Sequence, residues 1–137
     1  MAKRFVKSKK QIKRSTLTRN LDKAFSSYIR HKYANWKGEV FCFTCPKRLP
    51  IKEIQNGHYI TRGCLILRWN ENNCRPQCAS CNIFRNGQPV TFRENLVKEM
   101  GEADVKSLEA ERFKIFKPTI EWMQEQIRYY NDYVPTP

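Results

Sequence analysis

Leu17, Leu21, Phe25, Tyr28 and Ile29 recur at three- and four-residue spacing, with polar residues filling most positions between them. That period matches an α-helix and predicts one over about 16–34, with Ser15 or Thr16 as its N-cap. The apolar stripe faces a core, Arg19, Lys23, Arg30 and Lys32 lie off it, and His31 reads as an ordinary boundary histidine. Asn35 to Gly38 carries turn residues and ends the helix. Glu39–Thr44 reads as a short strand, Pro46 to Pro50 as a turn, and residues 54–60 (IQNGHYI) as a second strand in which Gly57 marks a bulge or a close backbone approach. Residues 61–73 are polar and looping, and a short helix begins near Asn82. Phe92, Leu96, Val97 and Met100 share a face of a further helix closed by Gly101, and Val105 and Leu108 lie in another short helical stretch. Pro118 and Thr119 open a last helix with Ile120, Met123, Ile127 and Tyr130 on one side. The pattern predicts one α+β domain over 15–133. A basic arm over 1–14, read as disordered without DNA, precedes it, and a short tail over 134–137 follows.

Charge narrows the class of partner. The 137 residues carry 26 Lys+Arg against 13 Asp+Glu, a net charge of +13. Such a field favours polyanions, nucleic acid first. No long apolar run exists for a membrane, and no apolar stretch follows the basic N-terminus. The expectation is a chain kept in a reducing cytoplasm.

The six cysteines sharpen this. Four form two CxxC pairs, Cys42/Cys45 and Cys78/Cys81, which is the spacing of zinc knuckles. Two such turns supply four thiolates at tetrahedral corners and leave no open position, so the Zn2+ they hold is structural. Cys64 and Cys74 are left over and read as buried small apolar residues, Cys74 being near enough to Cys78 to act as a spare ligand.

The insert between the knuckles contains a single histidine, His58, with Asn56, Tyr59, Arg62 and Arg68 around it and Asn72, Asn73 and Asn82 beyond. Few carboxylates accompany it, and no phosphate-binding glycine loop or serine triad appears. A lone histidine with amides and arginines fits phosphodiester hydrolysis: the histidine deprotonates water, a divalent ion neutralises the scissile phosphate, and cations hold the backbone. Taken alone, His58 reads more often as a structural or surface histidine than as a catalytic one; its place between the knuckles turns the reading toward the site. Lys47, Arg48, Arg62, Arg68, Arg75 and Arg85 are the candidate DNA contacts.

The order CxxC, a GHY strand, then Asn-x-x-x-Gln-CxxC-Asn resembles the HNH-type nucleases of the ββα-metal fold. The stretches AFSSYIR, FCFTC, NGHYITRG, LILRWNENN, PQCASCN and FRENLVKEMG resemble the phage NinG (Rap) recombination family more closely, over about residues 15–110. A remoter similarity is to phage endonuclease VII. The resemblance implies an HNH-like core with a four-cysteine zinc site and flanking helices, and an endonuclease acting on branched DNA such as Holliday junctions. It implies that His58 is the general base, that Asn73 pins the loop between the two strands, and that Asn82 binds a catalytic Mg2+ or Mn2+. Many HNH enzymes place an aspartate ligand just before the base, where this chain has Gly57. Asn56, Gln55 or a backbone carbonyl is left as the second ligand. The two-fold symmetry of a four-way junction implies a homodimer, at least on DNA. The alternative function is a zinc-stabilised DNA- or RNA-binding protein without chemistry. Trp122, Tyr129 and Tyr130 read as packing within the domain, with a dimer interface as the alternative.

Overall fold

The computed structural model describes residues 12–133, so most of the basic arm and the VPTP tail lie outside the described residues. The element order is α1 (Arg14–Lys32), β1 (Glu39–Phe41), β2 (Arg48–Pro50), β3 (Gln55–His58), α2 (Leu65–Arg68), β4 (Cys74–Gln77), α3 (Pro89–Met100), α4 (Glu102–Glu111) and α5 (Ile120–Asp132). A 3-10 turn over Glu71–Asn73 leads into β4, and a wide helical turn over Ser80–Phe84 follows it. The architecture is α+β, as the pattern implied. Among the described residues no helix is long and apolar enough to cross a membrane.

The apolar stripe of α1 does what its spacing dictates. Leu17, Leu21, Phe25 and Ile29 are buried with Met123 and Tyr130 of α5 and with Trp69 and Cys74 of the central region. The Phe25 and Tyr130 rings meet edge to face at 5.0 Å. Trp122 packs on Trp69 and Phe116 and Tyr130 is buried, whereas Tyr129 leans on Tyr28 at an exposed position. A second core joins Leu67 to Phe92 and Leu96 of α3 and Val105 and Leu108 of α4. Gly101, at φ +86, separates α3 from α4, and its N–H closes α3 on the Val97 carbonyl.

Two small antiparallel sheets complete the fold. In the first, β1 pairs with β2, Val40 opposite Leu49. In the second, β3 pairs with β4, Gly57 opposite Arg75 and His58 opposite Cys74. Helix α1 lies across β3 and β4.

Several expectations are corrected. Ser15 and Thr16 are not N-caps: the helix starts at Arg14, and the amides of Thr16 and Leu17 bond to the Lys13 carbonyl. A tertiary anchor replaces the side-chain cap, since Arg14 Nη1 donates to the Pro118 carbonyl at 2.6 Å. Arg14 therefore belongs to the folded domain rather than to the arm. The expected turn over 46–50 includes strand β2, which shares backbone bonds with β1. The expected loop over 61–73 contains α2 and a 3-10 turn, held by Leu67 and Asn73 inside the protein. Gly57 is no bulge; its pairing is regular.

Candidate metal centre and candidate active site

The two CxxC turns meet because β1 delivers Cys42 and β4 delivers Cys78 to the same end of the molecule. The Sγ atoms of Cys42, Cys45, Cys78 and Cys81 all lie within 4.8 Å of one another, with Cys45 and Cys78 at 3.7 Å. Zinc–sulfur bonds of about 2.3 Å at tetrahedral angles put sulfurs roughly 3.8 Å apart, so the donor set fits Zn2+. The Cys78 amide points at Cys42 Sγ at 3.3 Å. Burial opposes the Cys42 thiolate, but the backbone amides of Cys78 and Thr44 outweigh it and bring the thiol down to about 7. Burial and the neighbouring sulfurs push Cys45 up to about 12. Four thiolates this close repel one another, and a divalent cation removes that repulsion.

Cys74 is not a spare ligand. It is fully buried, and burial drives its thiol far above the ordinary range. Cys64 is only half-buried, a correction to its assignment as an interior residue; it flanks the start of α2 at the edge of the second core.

His58 ends β3 beneath α1. Its Nε2 lies 2.9 Å from the Arg68 carbonyl. A carbonyl only accepts, so Nε2 carries the proton and Nδ1 keeps the lone pair of the neutral ring. Burial pulls the His58 pKa below its ordinary value, which keeps the ring neutral. An opening of about 400 Å³ beside it is lined by Asp22, Ser26 and Arg30 of α1, by Lys52, and by Gln55, Asn56, His58, Arg62 and Asn82. Asn82, on the wide turn that also carries Cys81 of the second knuckle, donates from Nδ2 to Gln55 Oε1 at 2.8 Å, which leaves its own carbonyl oxygen free of that bond. Asn56 Oδ1 is a buried acceptor with no partner. Amide oxygens of this kind are hard donors and suit Mg2+ or Mn2+.

Asn73 does not reach the opening. It is fully buried, accepts from the Ile60 amide at 2.8 Å, and donates to the carbonyls of Ile60 and Leu67 at 2.9 and 3.0 Å. It thereby ties the segment after β3 to α2 and the start of β4.

Gly57 has a packing reason. A Cβ there would stand 2.0 Å from Gln77 Oε1 and 2.7 Å from Gln77 Cγ. Gln77 is fully buried and cannot swing aside, because its Nε2 donates to Thr44 Oγ1 and to the Gly87 carbonyl. The position before His58 is therefore closed to any side chain.

The six candidate DNA contacts divide. Lys47, Arg48, Arg62 and Arg85 are exposed, Arg48 pairing with Glu39 at 3.1 Å. Arg75 is corrected: it is buried and spent on Glu99 and the Glu71 and Cys74 carbonyls. Arg68 is corrected too, since Asp22 holds its guanidinium with two bonds, at 2.9 and 2.5 Å. The sequence reading passed over Asp22, whose one signal is that it is the sole acidic residue among the first 38.

The profile of the family described as "Bacteriophage Lambda NinG protein" matches residues 2–135. Protein ninG of Escherichia phage lambda is 29% identical over 98 residues, covering 71% of this chain and 46% of the relative. Protein ninG of Salmonella phage P22 is 28% identical over 99 residues, covering 72% of this chain and 46% of that protein. The chain thus spans about half the length of the curated relatives it matches. No solved structure matches. Nearly the whole chain fits one family profile, and the chain belongs to the NinG family.

Proposed function

We propose that this protein is a divalent-metal-dependent DNA endonuclease of HNH type that cuts branched recombination intermediates such as four-way junctions, with His58 as general base. The observation that carries the reading is the His58 ring: its Nε2–H is committed to the Arg68 carbonyl while the ring borders an opening shared with Asn82, Arg30, Lys52 and Arg62. A neutral imidazole with its Nδ1 lone pair available can take a proton from water as the oxygen attacks phosphorus and the bond to the leaving oxygen breaks. Arg62, Lys52 and Arg30 balance phosphate charge. A Mg2+ or Mn2+ ion held by Asn82, with Asn56 as the further donor, would supply charge neutralisation at the scissile phosphate. Asn73 serves the same chemistry at a distance by fixing the segment between β3 and β4. The four-cysteine zinc is structural, and the order of β3, β4 and the turn bearing Asn82 supports an HNH-like core. A dimer on DNA would present two such sites to a two-fold symmetric junction, in the cytoplasm of the phage host.

One observation favours the alternative, a zinc-stabilised binding module without chemistry. The carboxylate bordering the opening, Asp22, is already engaged by Arg68 and Trp69, and position 57 holds no side chain. The deciding experiment compares a synthetic four-way junction with a linear duplex of the same sequence, in Mg2+, Mn2+ or chelator, using the native protein and His58→Ala. Metal-dependent cutting of the junction that His58→Ala abolishes, with binding retained, is the expected result. Binding without cutting under every metal would establish the alternative.

A further inference from the structure

His58 is held by a carbonyl, and that carbonyl is held from outside its own element. Helix α2 is four residues long and Arg68 is its last. A single turn has no internal stability, so tertiary bonds decide where the Arg68 carbonyl sits. Asn73 holds the neighbouring Leu67 carbonyl from within the core and Cys74 Sγ donates to the Arg68 carbonyl itself, and the bonds to the side chains of Arg68 and Trp69 converge on Asp22 of α1. Asp22 accepts from Arg68 Nε at 2.9 Å, from Arg68 Nη2 at 2.5 Å and from Trp69 Nε1 at 2.9 Å. The fork on Arg68 and the indole N–H on the next residue clamp that peptide from both sides. Paired forks of this kind fix geometry as well as contributing energy. Nothing in α1 itself calls for aspartate at an interior helical position, where its propensity is modest.

We infer that Asp22 is a positioning residue for His58: by clamping Arg68 and Trp69 it places the Arg68 carbonyl to accept the His58 Nε2–H, so that Nδ1 is the nitrogen left to act as base. The inference rests on His58 being the base in the reading above. It gives α1, which lies before the knuckles and their motif, a direct part in the site. The other charged groups around His58 are Arg62 in the loop after β3 and, across the opening, Arg30 and Lys52. Among the residues bordering the opening, Asp22 is the one carboxylate.

The test uses Asp22→Asn, with Asp22→Glu and Arg68→Lys beside it. The chain has two histidines, so the ring nitrogens of His58 can be followed by NMR once His58→Ala has assigned them. In the native protein at alkaline pH, His58 is expected as the single Nε2–H tautomer. Asp22→Asn is expected to keep zinc and junction binding, to turn His58 into a mixture of tautomers, and to slow single-turnover junction cleavage by roughly 10- to 100-fold. Asp22→Glu recovers part of the rate. If Asp22→Asn fails to fold, Arg68→Lys, which keeps the charge and loses the fork, carries the same readouts. An unchanged tautomer overturns the clamp, and a changed tautomer with an unchanged cleavage rate overturns its role in the reaction. Should the native protein cut no junction under any metal, the nuclease reading fails by itself, while the tautomer measurement still decides the clamp.

Discussion

At position 57 the absence of a side chain follows from its neighbour across the sheet. Gln77 Oε1 stands where a Cβ would begin, and its amide nitrogen is tied to Thr44 and Gly87. Gly57→Ala should therefore cost about 1–3 kcal/mol of stability, the range for overpacking, read as a lower denaturant midpoint. Gly57→Asp should be worse and should add no metal affinity; a gain in cleavage would contradict this account. His58 makes a second prediction. Burial lowers its folded pKa below the ordinary 6.5, so below about that value the unfolded chain binds more protons than the folded one. Acidification through that window should destabilise the protein, and His58→Ala should remove that part of the pH dependence. If His58 is the base as proposed, the same shift means that cleavage should be flat above 6.5 and fall only when the buried ring is protonated at lower pH.

At the scale of elements, the short strands and turns rely on side chains as well as on their own backbone pairing. Asn73 is the clearest case, with three bonds to the backbone of Ile60 and Leu67 from a fully buried position. Asn73→Ala strands those groups away from water, and a loss of about 2–4 kcal/mol in chemical denaturation is expected. The cysteine turns do the same for β1 and β4. Structural zinc contributes roughly 10–16 kcal/mol in small zinc domains, comparable with the whole net stability of about 5–15 kcal/mol. Cys78→Ser, or a strong chelator on the native chain, should therefore unfold the β1–β4 region, visible as zinc release together with lost far-ultraviolet dichroism. Retained fold and zinc in Cys78→Ser would remove the knuckle assignment.

At the scale of the molecule, the excess of 13 positive charges would make the proposed encounter with nucleic acid electrostatic. Arg75 and Arg68 are spent inside, so the field acts through exposed residues such as Lys47, Arg48, Arg62 and Arg85. Junction affinity should fall steeply as salt rises and depend little on sequence. If Arg62 contacts phosphate as proposed, Arg62→Ala should flatten the slope of log affinity against log salt by about one unit. Arg75→Ala should instead lower stability, because it leaves buried carbonyls without a donor.

The sequence by itself determined what depends on local period and fixed spacing. The stripe of α1, the start of α5 at Thr119 and the end of α3 at Gly101 follow from rules that act within a few residues. The thiolate quartet follows because two CxxC turns satisfy one ion wherever the chain brings them together. Tertiary structure alone decided the start of α1, which an arginine from its first turn anchors on Pro118, 104 positions along the chain. It also decided which arginines stay free: Arg68 and Arg75 read like any surface cation until Asp22, Glu71 and Glu99 are folded against them. The approach of Gln77 to Gly57, and of Asp22 to Arg68, whose carbonyl meets His58, joins residues that no local pattern links. Packing of α1 across β3 and β4 creates those contacts, and only the folded chain contains them.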